Sequence, residues 1–416
     1  MNVVAIMHGS WLGGAQISTL EFLELLRDRV ELKALVCDTA KRDFLSYVSS
    51  LGVDIYRTPC GTMMGYPIMA LRDAQKLVEW ADIIWITDEE YLVAPHIKKV
   101  RRVPIVAHLH SYALVCPWWG ALYGFREACL ERCSLRRIIG CKQGINLEFS
   151  RIGLLSADKA FLYWLLDFVK GPLDYSKWKH LMAGVFENID GYIAVSNTLW
   201  KIHRSHIPEL ANKPHATIYY PLIKPLKHVT PNTNEPYSNY ILYASGANPV
   251  KGPHLLLEAW SKVSKEYKNL KLYMVGCKDS WVERRAKHVG LSNVDFLNSF
   301  PPNEHYYSMM FKAKTVIMPS IWPEPFGRIP VEANRLGVWA VVSSSGGLPE
   351  TIVDGVTGYV FKSGDADDLA EKIIKTLERD LDRSAIISHS YERMNPWREI
   401  EKLLRFFEGM VNDGRT

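Results

Sequence analysis

A chain of 416 residues, 48% hydrophobic and 23% charged, can bury a sizeable core, and its length is read as two domains at roughly 100–200 residues each. The net charge of +5 suits a polyphosphate substrate or an anionic membrane surface, and the absence of a long Lys/Arg run with interleaved aromatics argues against nucleic acid as a partner. No run of about 18 or more uncharged apolar residues is present, which argues against a transmembrane helix.

The first eight residues, from Met1 to His8, read as a strand and not as a signal peptide, so the expected location is cytoplasmic. A strand over 3–7 leads through the turn at Gly13-Gly14-Ala15 into a helix over about 15–27. Further strands follow at 32–37, 53–57, 83–87, 105–107, 192–195 and 217–219. Between about 117 and 190 the strand rhythm stops, which marks an insertion. A Pro-, Asn- and Thr-rich linker is expected at 221–237. The rhythm then restarts with strands at 240–244, 272–275, 293–296, 315–318, 339–343 and 359–361, and helices at 253–266, 365–378 and 396–411. Short apolar strands between helices imply parallel sheets covered on both faces, and two such halves imply a cleft between them. The expected class is α/β, with two Rossmann-like domains at 1–225 and 226–390 and a terminal helix at 391–416.

The richest chemistry lies in Ser320-Ile-Trp-Pro-Glu324-Pro-Phe326-Gly327-Arg328-Ile-Pro-Val-Glu332. Pro323 and Pro325 break regular structure, and Gly327 opens a helix that tolerates Pro330 in its first turn. Such a junction presents unpaired backbone N–H groups to an anion, while two carboxylates beside it can each accept several hydroxyl hydrogen bonds. An anion site with hydroxyl acceptors alongside describes a nucleotide-sugar pocket. Elsewhere, the paired glycines Gly13 and Gly14 at a helix start suit an anion or an ordinary turn. His8 and Trp11 lie nearby and are candidates to line the acceptor side, with a packing role equally open to them. His110 follows a strand end; His108, two residues deeper, is expected to be structural.

Read together, Lys251-Gly252, Pro319-Ser320, Glu324-Pro-Phe-Gly327, Glu332-Ala333, Gly346-Gly347-Leu-Pro-Glu350 and Asp354-Gly355-Val-Thr-Gly358 resemble the GT-B-fold retaining glycosyltransferases of family 4. The resemblance covers most of residues 240–380; in the first half it is sparser, at Gly13-Gly14-Ala15, His110 and Val195-Ser196. It implies transfer of a sugar from a nucleoside diphosphate sugar to a hydroxyl acceptor with retention, no cofactor and no metal, and a C-terminal helix returning to the first domain. By resemblance, Glu324 contacts donor-sugar hydroxyls, Glu332 the ribose, Lys251 the diphosphate and His110 the reacting sugar. Gly13, Gly14, Phe326, Gly327 and Arg328 join the donor set.

The chain departs from the family at Gly246, where many relatives carry an arginine five residues before the lysine; Arg328 is the candidate to replace it. Nucleotide-sugar epimerisation, phosphorolysis or sugar-nucleotide binding without catalysis are the alternatives. Glu350 and the Asp354-Gly355 turn are expected to be structural, and Asp365 to be a helix cap.

The insertion carries Cys116, Cys129, Cys133 and Cys141 with twelve, three and seven residues between them, unlike paired zinc motifs. Free thiols, a structural zinc site or a disulfide staple are open there. Cys37 and Cys277 end predicted strands and are expected to be core thiols, while Cys60 carries no signal. Arg132, Arg136 and Arg137 near Trp118, Trp119 and the aromatic stretch from Phe161 to Leu166 form an interfacial signature that would dock peripherally at the inner membrane face; the same spacing also fits a core helix.

Overall fold

The computed structural model describes the chain except for residues 10–12, 64–65, 72–73, 118–119, 125–126, 153, 224, 380–381 and 415–416. Trp11, Trp118 and Trp119 therefore lie outside the described residues.

The first half contains β1 (Asn2–Met7), α1 (Gly14–Leu26), β2 (Glu31–Cys37), α2 (Arg42–Ser50), β3 (Asp54–Thr58), β4 (Cys60–Met63), β5 (Tyr66–Met69), α3 (Gln75–Trp80), β6 (Ile83–Ile86), α4 (Ala94–Val100) and β7 (Ile105–Leu109). It continues through β8 (Leu122–Tyr123), β9 (Glu127–Ala128), α5 (Leu135–Arg151), α6 (Ala157–Asn188), β10 (Gly191–Ala194), α7 (Asn197–His206) and β11 (His215–Thr217). Seven of these strands form one parallel sheet in the order β11-β10-β7-β6-β1-β2-β3.

The second half comprises α8 (Pro225–His228), β12 (Tyr240–Tyr243), α9 (Pro253–Glu266), β13 (Lys271–Val275), α10 (Trp281–His288), β14 (Val294–Leu297), α11 (Glu304–Lys312) and β15 (Thr315–Met318). After it come α12 (Arg328–Arg335), β16 (Trp339–Ser343), β17 (Gly358–Phe361), α13 (Ala366–Leu377), α14 (Arg383–Arg393) and α15 (Pro396–Asp413). Its parallel sheet has the order β14-β13-β12-β15-β16-β17.

The central strands are buried on both faces, as the apolar run Ile83–Ile86 and the apolar and β-branched run Thr315–Met318 require. Strand order reverses beside β1 and β6 in one sheet and beside β12 and β15 in the other. Each reversal opens a crevice at the carboxyl ends of its strands, and the two crevices face each other. The terminal helix α15 leaves the second half and buries Ile400, Leu403, Phe407 and Met410 in the first-half core, where Met410 packs on Gly191.

Two features differ from the sequence reading. The insertion folds as a helical hairpin of α5 and the 32-residue α6, with the small β8–β9 pair before it. Cys37 is not a free core thiol. It is bonded to Cys60, which opens the unpredicted antiparallel β4–β5 hairpin and so reaches the end of β2. No described helix is long and apolar enough to cross a membrane.

Candidate functional site

The facing crevices enclose a cavity of about 730 Å³, within the size range of small-molecule sites. On its C-terminal side, Glu324 is held by backbone. Gly346 has φ +65°, a Cβ there would lie 2.3 Å from the Glu324 nitrogen, and the Gly347 N–H donates to the Glu324 carbonyl at 2.7 Å. The close partner of these two glycines is thus the Glu324 main chain. The loop around Glu324 is clamped from the first half by the Tyr112 hydroxyl, which donates to the Pro323 carbonyl at 2.7 Å, and by Ser196, which donates to that of Pro325.

Lys251 ends a short 3₁₀ turn whose successor, Gly252, has φ +71°. A Cβ on Gly252 would fall 1.9 Å from the Pro319 carbonyl oxygen, so only glycine lets the two loops touch. The Lys251 ammonium reaches both Glu324 carboxylate oxygens, at 2.7 and 3.0 Å, and lies 4.5 Å from the Trp322 ring centre. Gly246 also has φ +71°, and its backbone packs so closely on Gly276 that a Cβ on Gly276 would sit 2.9 Å from it. The missing arginine thus coincides with a left-handed backbone that an arginine would strain.

Gly327, with φ +103°, opens α12, whose first N–H groups have no side-chain cap. Opposite stands the start of α1, preceded by Gly13, which offers no capping side chain of its own and whose N–H donates to Gln16 Oε1 at 3.2 Å. The two helix starts approach so closely that a Cβ on Gly14 would lie 3.1 Å from Arg328 Cδ. Arg328 bridges the halves: its guanidinium donates to Glu21 at 2.7 Å, to Glu332 at 3.1 Å and to the Ser18 hydroxyl. Burial opposes its charge, but Glu21 and Glu332 outweigh that and hold its pKa above the ordinary value. The expected spare cation is therefore already partnered. Phe326 lines the cavity while its ring packs on Tyr220 at 4.9 Å and Tyr219 at 5.7 Å, joining the two halves.

His110 lies on the first-half wall. Its Nδ1 meets the Tyr220 hydroxyl at 2.8 Å, Nε2 has no partner among the described residues, and burial pushes its pKa down to about 3, so the ring is neutral. His108 is fully buried against Trp85 and the His110 ring, in the structural place expected for it. Glu350 is structural too: it accepts the Asn197 and Thr198 N–H groups at the start of α7 and the Tyr219 hydroxyl. Asp365 caps α13 as expected.

The sequence reading missed the acidic strip Asp88-Glu89-Glu90 on the same wall. Asp88 accepts two hydrogen bonds from Gln16, at 3.0 and 2.9 Å, and burial raises its pKa. Burial also pushes Glu89 up to about 7, with Ser111 pulling against it, and raises Glu90 well above the usual carboxylate range. Their position directly after β6, at the carboxyl end of a strand beside the reversal, was the available signal. In the insertion, Cys116, Cys129, Cys133 and Cys141 are half-buried, and among the described residues no disulfide staple joins them. Arg137 and His206 contact the Cys129 residue.

Two Rossmann-like halves around such a cleft define the GT-B fold. Residues 229–393 match the family described as glycosyl transferases group 1. The chain is 32% identical over 132 residues to lipopolysaccharide 1,2-N-acetylglucosaminetransferase of Salmonella typhimurium, covering 29% of this chain and 34% of that one. It is 26% identical over 186 residues to D-inositol 3-phosphate glycosyltransferase of Mycolicibacterium smegmatis, covering 42% and 41% of the two chains. These matches span about a third to two-fifths of those relatives' lengths. Among solved structures, Anabaena HepE in complex with UDP superposes with a TM-score of 0.65 at 18% identity, covering 98% of this chain and 100% of that one.

Proposed function

We propose that this protein is a retaining glycosyltransferase that moves a sugar from a nucleoside diphosphate sugar to a hydroxyl acceptor. The observation that carries it is the gathering, in one cavity, of the Lys251–Glu324 pair, Glu332 and the N-terminal ends of α1 and α12. As the bond from the anomeric carbon to the diphosphate oxygen breaks, negative charge grows on the leaving group. Lys251 and the helix-terminal N–H groups are placed to stabilise that charge without a metal. The acceptor oxygen bonds to the anomeric carbon on the same face, and its proton passes to the departing phosphate.

In this reading Glu324 accepts from donor-sugar hydroxyls and Glu332 from the ribose, while the neutral His110 uses Nε2 on a sugar hydroxyl. Gly13, Gly14 and Gly327 let backbone approach the diphosphate, and Arg328 joins it through a shift away from Glu21. HepE is solved with UDP and with UDP-glucose, and the pneumococcal O-GlcNAc transferase with UDP, so uridine diphosphate sugars are the first donors to test. Incubation with a panel of nucleotide sugars, without acceptor, should release nucleoside diphosphate. Glu324→Ala should abolish release while leaving the fold intact. Neither turnover nor binding across the panel would refute the reading.

Peripheral attachment to an anionic membrane is part of the proposal. On α6, Phe161, Leu162, Tyr163 and Leu166 are exposed, and Arg132 and Arg136 are exposed in the same insertion. Co-sedimentation with phosphatidylglycerol vesicles but not with neutral ones is the expected result.

A further inference from the structure

Behind the first-half wall, three donor groups of different chemistry converge. A His8 ring nitrogen, the Cys37 sulfur and a Glu90 carboxylate oxygen all lie within 4.8 Å of one another. They are delivered by three neighbouring strands: His8 just after β1, Cys37 at the end of β2, and Glu90 in the loop after β6. Glu90 is fully buried, and neither of its carboxylate oxygens has a partner among the described residues; His8 Nδ1 is likewise unpartnered there. A buried carboxylate with no hydrogen bond is costly, and the catalytic scheme above gives Glu90 no task. Imidazole, thiolate and carboxylate together are a zinc-type ligand set.

We propose that His8, Cys37 and Glu90 form a binding site for a divalent ion of the zinc class, masked while Cys37 is bonded to Cys60 and opened when that disulfide is reduced. An external dithiol supplies the two electrons and two hydrogens. The Cys37–Cys60 bond breaks to give two thiols, and the dithiol closes into its own disulfide. On metal binding, the Cys37 thiol and the Glu90 carboxyl each release one proton to solvent, and His8 contributes a nitrogen lone pair. The resulting ion with one thiolate, one carboxylate and one neutral imidazole carries no net charge, which suits a buried place. His8 and Glu90 also line the cleft, so the fourth ligand position opens toward it and can take water or a hydroxyl group.

Cobalt(II) uptake tests this directly, because a thiolate ligand gives a charge-transfer absorption, and the reading does not depend on whether the chain transfers sugar. The full-length protein, reduced with a dithiol and desalted without air, should bind one more equivalent of cobalt than the oxidised protein. Cys60→Ser, which frees Cys37 permanently, should show the thiolate band with no reductant. Adding His8→Ala or Glu90→Ala to Cys60→Ser should weaken that binding at least about tenfold, whereas Cys133→Ser in the separate cysteine cluster should leave it unchanged. Equal uptake by reduced and oxidised protein would overturn the proposal. So would a band that survives His8→Ala or disappears with Cys133→Ser. Should Cys60→Ser fail to fold, the comparison of reduced and oxidised wild type decides the matter.

Discussion

Replacing Arg328 by Met should loosen the contact between the two halves. The Arg328 side chain is 8% exposed, that of Glu21 0% and that of Glu332 5%, so the triad is almost wholly removed from water. Deleting one partner of a buried ion pair leaves an uncompensated charge and costs about 3–5 kcal/mol. Taking about 3 kcal/mol, the population in which α1 and α12 separate should rise about 150-fold. Native-state hydrogen exchange of the α1 and α12 amides measures that opening. Glu21→Gln alone should cost less, because Glu332 still neutralises the guanidinium. The double substitution Glu21→Gln/Arg328→Met should recover about 1 kcal/mol or more relative to the sum of the single changes, since one buried carboxylate, Glu332, and not two then faces the lost guanidinium. Exchange in α1 changed by less than about threefold in Arg328→Met, or costs that simply add, would refute the triad as an interdomain latch.

Gly252→Ala should destabilise the chain by more than about 1 kcal/mol and weaken nucleotide binding measured by calorimetry, because a left-handed backbone and the Pro319 carbonyl both reject a Cβ there. Tyr220→Phe should cost about 1 kcal/mol by removing the hydrogen bond to His110. In the wild type, the His110 imidazole resonances should show no protonation above pH 5. Glu89 keeps its proton to about pH 7 in the folded chain but loses it near pH 4.5 when unfolded, so over that window the folded state binds more protons. Wild-type stability relative to Glu89→Gln should therefore fall as pH rises from about 4.5 to about 7 and level off above; urea unfolding at stepped pH checks the sign.

Much of the scaffold was legible because its causes are local. The strand at Thr315–Met318 and the helix at Pro253–Glu266 follow from apolar runs and from Gly and Pro at their ends, and both were bounded correctly from sequence. The motif residues were legible for the same reason: Gly252, Gly327 and the prolines around Glu324 fix backbone shapes that chain neighbours dictate. Glu324, Glu332, Lys251, Gly13, Gly14 and His110 do meet at one cavity.

What escaped depends on which distant groups meet. Arg328 reads as a free cation in sequence, yet its partner Glu21 stands 307 residues away and is reached only when the halves dock. Phe326 lines the cavity, and only the docking of the halves brings its ring against Tyr219 and Tyr220 as well. Cys37 and Cys60 meet only because an unpredicted hairpin turns back onto the end of β2. By itself the sequence determined two α/β units and the residues offered at their loop ends, since periodicity, glycine and proline act over a few residues. The tertiary structure alone decided which charges neutralise one another and which buried groups are left facing each other, because burial and Coulombic pairing belong to the docked chain.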